Sequence, residues 1–297
     1  MNNALWSCIA ADITQSTGEV FTARHANAVG GGCINATYVL DDEGRRYFVK
    51  LNAAARRAMF AAEAQGLEEI VRANVIRAPA PVCHGIAGDQ AYLVLEFIAL
   101  SRSGGASQEQ LGQQLAAMHR VTRPRYGWTR DNTVGATPQH NTECDDWLEF
   151  WRTRRLGFQL QLAADNGYRG RLQSKGERLL AALPALLAGH TPPAALLHGD
   201  LWSGNYGVDA RGAPVIFDPA LYYGDRETDL AMTELFGGFS PRFYQAYNEA
   251  YPLPAGYRLR KSLYNLYHVL NHLNLFGGGY LAQAEQMLDR LLSEVMP

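Results

Sequence analysis

Apolar residues fall in short, turn-bounded runs through the first hundred positions and at helical intervals through most of the remainder. Ala36 to Leu40 and Arg46 to Leu51 read as strands joined by the turn Asp41-Asp42-Glu43-Gly44, with the cluster Gly30, Gly31, Gly32 at the mouth of the hairpin. Ala53 to Arg72 is rich in Ala, Glu, Arg and Leu and free of Pro, which predicts a helix that Ala78-Pro79-Ala80-Pro81 ends. Val82 to Gly85 and Ala91 to Phe97 read as further strands, the second almost continuously apolar through Tyr92, Leu93, Val94 and Leu95. Five strands and one helix are the expected content of a small N-terminal lobe, with Lys50 on the third strand.

Beyond a polar stretch at Ser101 to Ser107 the pattern turns helical, over Gln108 to Arg120, Cys144 to Asn166, Arg169 to Leu187 and a long series from Ser240 to Met296. The exception is His198 to Asp218, a glycine-spotted loop followed by a short β segment, Ala213 to Phe217, that runs into an aspartate. The expected lobes are residues 1–98 and 99–297, joined by a hinge at about 96–100. No internal repeat or low-complexity segment is visible.

Composition narrows the function classes. The chain has 297 residues, 47% hydrophobic and 19% charged, which excludes disordered and collagen-like classes. A net charge of -2 with dispersed basic residues argues against a nucleic-acid partner. The four cysteines form no C-x-x-C pair, so neither a zinc site nor a disulfide framework is indicated, and a reducing cytoplasm is the expected location. No run approaches the ~18 uninterrupted apolar residues of a membrane helix, and the start lacks a basic region before an apolar one, so no membrane partner is expected.

The chemistry concentrates in His198-Gly199-Asp200-Leu201-Trp202-Ser203-Gly204-Asn205 and in Ile216-Phe217-Asp218. Phosphoryl transfer needs a carboxylate to take the acceptor's hydroxyl proton, and oxygen ligands for Mg²⁺ that neutralise phosphate charge. A protein-kinase catalytic loop supplies these as an Asp, an Asn five residues on and a later Asp at a strand end. Asp200, Asn205 and Asp218 reproduce that order and spacing. Asp200 is therefore expected as the base, with Asn205 and Asp218 as Mg²⁺ ligands and ATP as the donor. The layout matches an α+β, bilobal protein-kinase-like fold, with a five-stranded antiparallel sheet plus helix before a mainly helical lobe.

The same logic asks for an upstream strand lysine on the nucleotide's phosphates and a helix glutamate to fix it. Lys50 in Tyr47-Phe48-Val49-Lys50 and Glu63 on the following helix fit, with Glu68 and Glu69 as rival partners. Gly31 and Gly32 lie where a phosphate-covering loop belongs, because glycine lets backbone N–H groups approach phosphate oxygens. Glu96, Phe97 and Ile98 end the last strand where backbone groups would meet adenine; a side-chain role for Glu96 does not follow. Cys33 in the glycine loop is either an oxidisable thiol or an inert small residue.

These segments resemble the fructosamine kinase (ketosamine-3-kinase) family. The resemblance rests on the His198 to Asn205 loop, on Asp218 to Met232, and on Gly30 to Asn35, Asn132 to Gln139, Asp146 to Arg152 and Asn271 to Gly277, in the same order. It covers roughly residues 20 to 280. It implies ATP-dependent phosphorylation of the sugar 3-hydroxyl of ketosamines, whether small molecules or sugar adducts on protein lysines, after which the adduct falls apart and the amine is repaired. The related aminoglycoside and choline kinases share the loop alone, which leaves another small-molecule kinase of this fold as the alternative. The resemblance also points to Trp202, His272 and the Gln139/Asn141 region as substrate contacts, although His272 and Trp147 also fit core positions of helices. Asp229 is expected to brace the catalytic loop, and a monomer or weak dimer is expected. Pro219 and Ala220 stand where protein kinases carry Phe-Gly, Gly199 replaces the arginine before the catalytic Asp, and no Ala-Pro-Glu segment follows. An activation-loop phosphorylation switch therefore has no evident anchor.

Overall fold

The computed structural model describes residues 3–30, 34–101 and 105–295. The chain forms two compact units, Met1–Ser103 with Gly207–Pro219, and Gly104–Tyr206 with Ala220–Pro297. None of the helices among the described residues is long and apolar enough to cross a membrane.

The first unit is built on strands β1 (His25–Val29), β2 (Ala36–Asp42), β3 (Arg45–Ala53), β4 (Pro81–Ala87) and β5 (Gln90–Glu96). They form one antiparallel sheet in the order β1-β2-β3-β5-β4. Helix α1 (Asn3–Thr17), which the sequence reading did not foresee, covers one face with Trp6, Ile9, Ala10 and Ile13. Their spacing is that of a single helical stripe. These side chains meet Leu40, Val49, Leu51, Tyr92 and Val94, and the Tyr92 hydroxyl donates to Asp12 on α1. Because strand side chains alternate, burying Val49 and Leu51 against α1 sends Lys50 to the other face. Helix α2 (Arg57–Ala73) buries Phe60, Leu67 and Ile70, and it ends at Asn74, which takes the left-handed conformation.

The remainder of this unit, Gly207–Pro219, carries all but the first residue of the hairpin Tyr206–Val208 and Pro214–Ile216. Arg77 pins it: its carbonyl accepts from the Ile216 N–H at 3.0 Å, and its guanidinium reaches Glu96 at 2.6 Å and Asp209 at 3.5 Å. Ser101 adds a backbone bond to the Val208 carbonyl at 2.8 Å. The hairpin ends two residues before Asp218.

The second unit is mainly helical: α3 (Gly105–Met118), α4 (Trp147–Phe150), α5 (Phe158–Asp165), α6 (Arg171–Leu186), α7 (Glu227–Leu235), α8 (Pro241–Ala250), α9 (Tyr257–Phe276) and α10 (Leu281–Ser293). The single helix expected over Cys144 to Asn166 is interrupted by a π segment, Trp151–Gly157. Glycine permits it, since the Arg152 carbonyl oxygen lies 2.5 Å from where a β-carbon of residue 157 would stand. A buried strand, Ala194–Leu197, pairs antiparallel with Tyr222–Gly224 on one side and Thr122–Arg123 on the other. The sequence reading missed all three.

Ile9 is fully buried between α1 and the sheet. Ile9→Ala is expected to lower the unfolding free energy by about 2–5 kcal/mol in urea titrations. An unchanged midpoint would mean that α1 does not support the sheet.

Candidate active site

Glu63 falls on the inward stripe of α2, three residues after Phe60 and four before Leu67, whereas Glu68 points to solvent. Lys50 Nζ donates to Glu63 Oε1 and to Asp218 Oδ1, each at 2.5 Å, and is 4% exposed. Burial opposes the ammonium charge, but Asp218 and then Glu63 more than offset it and hold Lys50 above the ordinary lysine range. Burial also raises the Glu63 carboxyl, a rise that Lys50 limits. Asp218 has φ +59°, a conformation uncommon outside glycine and often found at functional positions. Its side chain is 43% exposed, which leaves the oxygen not held by Lys50 open to a hard cation.

At the end of β5 the Glu96 carboxylate is engaged by Arg77 at 2.6 Å and by the Ala80 N–H at 3.3 Å, and the Glu96 N–H donates to the Ala80 carbonyl at 2.8 Å. The Arg46 guanidinium stacks 4.2 Å from the Phe97 ring centroid, and Ile98 is half-buried. Gly31, Gly32 and Cys33 fall between β1 and β2, outside the described residues.

In the second unit the loop His198 to Asn205 leaves the Ala194–Leu197 strand under tight backbone control. Asp229, 1% exposed on α7, accepts from the His198 N–H at 2.7 Å and the Gly199 N–H at 2.8 Å. The His119 Nε2 lies 3.2 Å from the same carboxylate. Burial alone would raise this carboxyl, but bonds and charge from His119, with His198 and the Gly199 amide, pull it below the ordinary range. Gly199 has φ +83°, and a β-carbon there would collide with the Ala220 carbonyl oxygen, so the position needs glycine twice over. Asn205 Nδ2 donates to the Asp200 carbonyl at 2.9 Å and to Asp200 Oδ2 at 3.3 Å. Both amide hydrogens are thereby directed at Asp200, and Asn205 Oδ1 is left as an oxygen donor.

The three expected substrate contacts have different surroundings. Trp202 is 37% exposed, with its ring folded over Gly204, where a β-carbon would have to displace it. His272 is half-buried among Phe236, Tyr280 and Phe276, at centroid distances of 4.5, 5.2 and 5.5 Å. Its Nδ1 lies 2.8 Å from the His268 carbonyl, which can only accept, so Nδ1 carries the proton. Burial lowers the pKa of His272, and the neutral ring offers Nε2 as an acceptor. Gln139 is not available to substrate. It is fully buried, its Nε2 donates to Asn132 Oδ1 and the Ala220 carbonyl at 2.9 Å each, and its Oε1 accepts from Tyr267 at 2.8 Å.

The sequence reading gave no part to His119, Asn132, Arg155 or Tyr267, all buried polar groups that reach the loop through other residues. Asn132 lay inside a quoted segment; the others sit in ordinary helical stretches that give no local signal. His190, Asp225 and Glu227 also gather closely, but Arg260 grips Glu227 through two bonds of 2.7 Å, while His190 and Tyr264 both lie 2.6 Å from Asp225 Oδ2. These bonds occupy both carboxylates of the cluster from within.

A family model described as fructosamine kinase matches residues 5–294. A protein named a probable ketoamine kinase in Synechocystis sp. is 49% identical over 290 residues, covering 97% of each chain. The chloroplastic protein-ribulosamine 3-kinase of Arabidopsis thaliana is 43% identical over 268 residues, 89% of this chain and 82% of that one. A crystal structure provisionally named fructosamine-3-kinase from Thermobifida fusca aligns with TM-score 0.84 at 33% identity, over 96% of this chain and 98% of its own. A thermostable mutant of an aminoglycoside phosphotransferase aligns with TM-score 0.60 at 14% identity, over 96% and 98% of the two chains, a likeness of fold.

One titration beside the loop has a defined sign. Burial first, with His272 adding to it, pushes His268 down to about 3, whereas an unfolded chain protonates near 6.5. The unfolded state binds more protons between these values, so acidification from 6.5 toward 3 destabilises the fold. His268→Asn should therefore lose less thermal stability than the parent between about pH 7 and about pH 5. Equal losses would show that His268 does not contribute to acid sensitivity.

Proposed function

This chain belongs to the fructosamine kinase family, and we propose that it transfers the γ-phosphoryl group of ATP to the sugar 3-hydroxyl of ketosamines, with Mg²⁺ as cofactor. The observation that carries the reading is the buried Lys50, held between Glu63 and Asp218, in a chain that also keeps Asp200 and Asn205 at catalytic-loop spacing. A protein that had kept the fold but lost the chemistry would have no cause to retain all five groups.

In this reading Lys50 binds the α- and β-phosphates, and Glu63 fixes it from the side away from the nucleotide. Backbone N–H groups at Gly31 and Gly32 cover the phosphates, and the backbone at 96–98 meets adenine. Asn205 Oδ1 and the carboxylate of Asp218 are hard oxygen donors of the kind Mg²⁺ takes, and the bound ion supplies charge neutralisation on the phosphates. Asp200 receives the sugar hydroxyl's proton as the new O–P bond forms and the bond to the leaving ADP breaks. Asn205 keeps the Asp200 side chain turned for this through its 3.3 Å bond. Trp202 offers an aromatic face to the sugar, and neutral His272 an acceptor to a hydroxyl or amine. The names of the relatives, ketoamine kinase and protein-ribulosamine 3-kinase, support both the reaction and the substrate class.

Purified protein with ATP, Mg²⁺ and a panel of fructosamines and ribulosamines, free and on protein lysines, should yield a 3-phosphate located by ³¹P NMR or mass spectrometry. Asp200→Ala should lower turnover by a factor of about 10²–10⁴ while nucleotide still binds. Phosphate appearing on kanamycin or choline in place of every ketosamine would overturn the proposal.

A further inference from the structure

Arg155, on the π segment, is fully buried, and no carboxylate pairs with it among the described residues. Its guanidinium lies between aromatic rings, 4.1 Å from the Tyr222 centroid and 4.6 Å from that of Phe150. Nη1 donates to the His140 carbonyl at 2.6 Å, and Nη2 to Asn141 Oδ1 at 2.7 Å. A guanidinium can only donate, so it fixes the direction of every bond beyond it.

Because Asn141 Oδ1 must accept, its Nδ2 must donate, and it does so to Asn132 Oδ1 at 2.8 Å and the Arg130 carbonyl at 3.2 Å. Asn132 Oδ1 also accepts from Gln139 Nε2 at 2.9 Å, which leaves Asn132 Nδ2 to donate to the Leu221 carbonyl at 2.8 Å. Gln139 Nε2 sends its second hydrogen to the Ala220 carbonyl at 2.9 Å, while Tyr267 occupies its oxygen. The chain of donors thus starts at a permanent cation and ends on two consecutive backbone carbonyls. Those carbonyls belong to the residues that directly follow Asp218-Pro219. Ala220 is held from its other side as well, since its N–H donates to the His198 carbonyl at 2.9 Å and its oxygen packs against Gly199.

We infer that Gln139 and Asn132 are positioning residues for the metal site: they clamp the Ala220 and Leu221 carbonyls, and so fix the chain that emerges from Asp218. The inference rests on the reading of Asp218 as a Mg²⁺ ligand. It gives a physical reason for the absence of an activation segment. The stretch after the metal-binding aspartate, which protein kinases order by phosphorylation, is ordered here by buried amides that neither ionise nor take phosphate. Arg155 and Asn141 act further back, by setting which way the two amides face.

The test compares the full-length parent with Gln139→Met, which keeps the length and removes the donor, and with Gln139→Glu, which keeps the shape should the first variant fail to fold. ADP affinity is measured by calorimetry with and without Mg²⁺, and kcat and KM for a ketosamine are measured separately. In either Gln139 variant the gain in ADP affinity on adding Mg²⁺ should shrink by about tenfold, the metal-free affinity should stay within about twofold, and kcat should fall with KM little changed. Asp218→Asn should lose the same Mg²⁺ gain. A folded Gln139 variant with the parent's Mg²⁺ gain and kcat would overturn the clamp, as would an Asp218→Asn protein that keeps the gain. A parent that binds Mg²⁺ and ADP together but phosphorylates no ketosamine would instead overturn the substrate reading and leave the calorimetric test of the clamp standing.

Discussion

The first unit depends on one buried cation. Lys50 is nearly inaccessible to water, and its ammonium is stabilised by two carboxylates that arrive from α2 and from the chain after the 206–216 hairpin. Removing Lys50 would leave the Glu63 carboxylate, 11% exposed, without its cation, a loss of about 3–5 kcal/mol in comparable buried pairs. Sheet, helix and hairpin are therefore tied by the same charge that is proposed to hold the nucleotide's phosphates. The α1 contribution is indirect: by burying Val49 and Leu51 on its side, it commits Lys50 to the opposite side.

The second unit fixes its loop by a different means. Here Asp229 receives two consecutive backbone N–H groups at His198 and Gly199. Gly199 is glycine because the Ala220 carbonyl occupies the space a side chain would fill. Bonds to the backbone set the loop without using the side chains proposed for catalysis. The proposed base Asp200 and ligand Asn205 are then oriented by each other. The same economy appears at Ala220 and Leu221, where amide side chains hold main-chain oxygens.

Most groups of the proposed site stand out in the sequence, and the features that do not have different causes. The loop residues were legible because phosphoryl transfer demands particular groups at short, fixed spacing. Glu63 could have been separated from Glu68 by its place on the Phe60, Leu67, Ile70 stripe, a local signal. The α1 stripe of Trp6, Ile9, Ala10 and Ile13 is equally local, a helical spacing legible in the first fifteen residues. Gln139 was misplaced for another reason: a polar side chain carries no mark of whether it faces a ligand or a buried carbonyl. Only its bonds to Asn132, Ala220 and Tyr267 show that it has no capacity left for substrate.

By itself, then, the sequence determined the types of chemical group, their order, and the face of strand or helix on which most of them stand, because side-chain periodicity is a property of a few consecutive residues. Tertiary structure alone decided the partners: Asp218 for Lys50 across 168 positions, Asp229 for the His198 loop across 31, and Ala220 for Gln139 across 81. A buried donor must find an acceptor wherever packing brings one, and that choice is made by the folded chain as a whole, at separations over which local pattern carries no information.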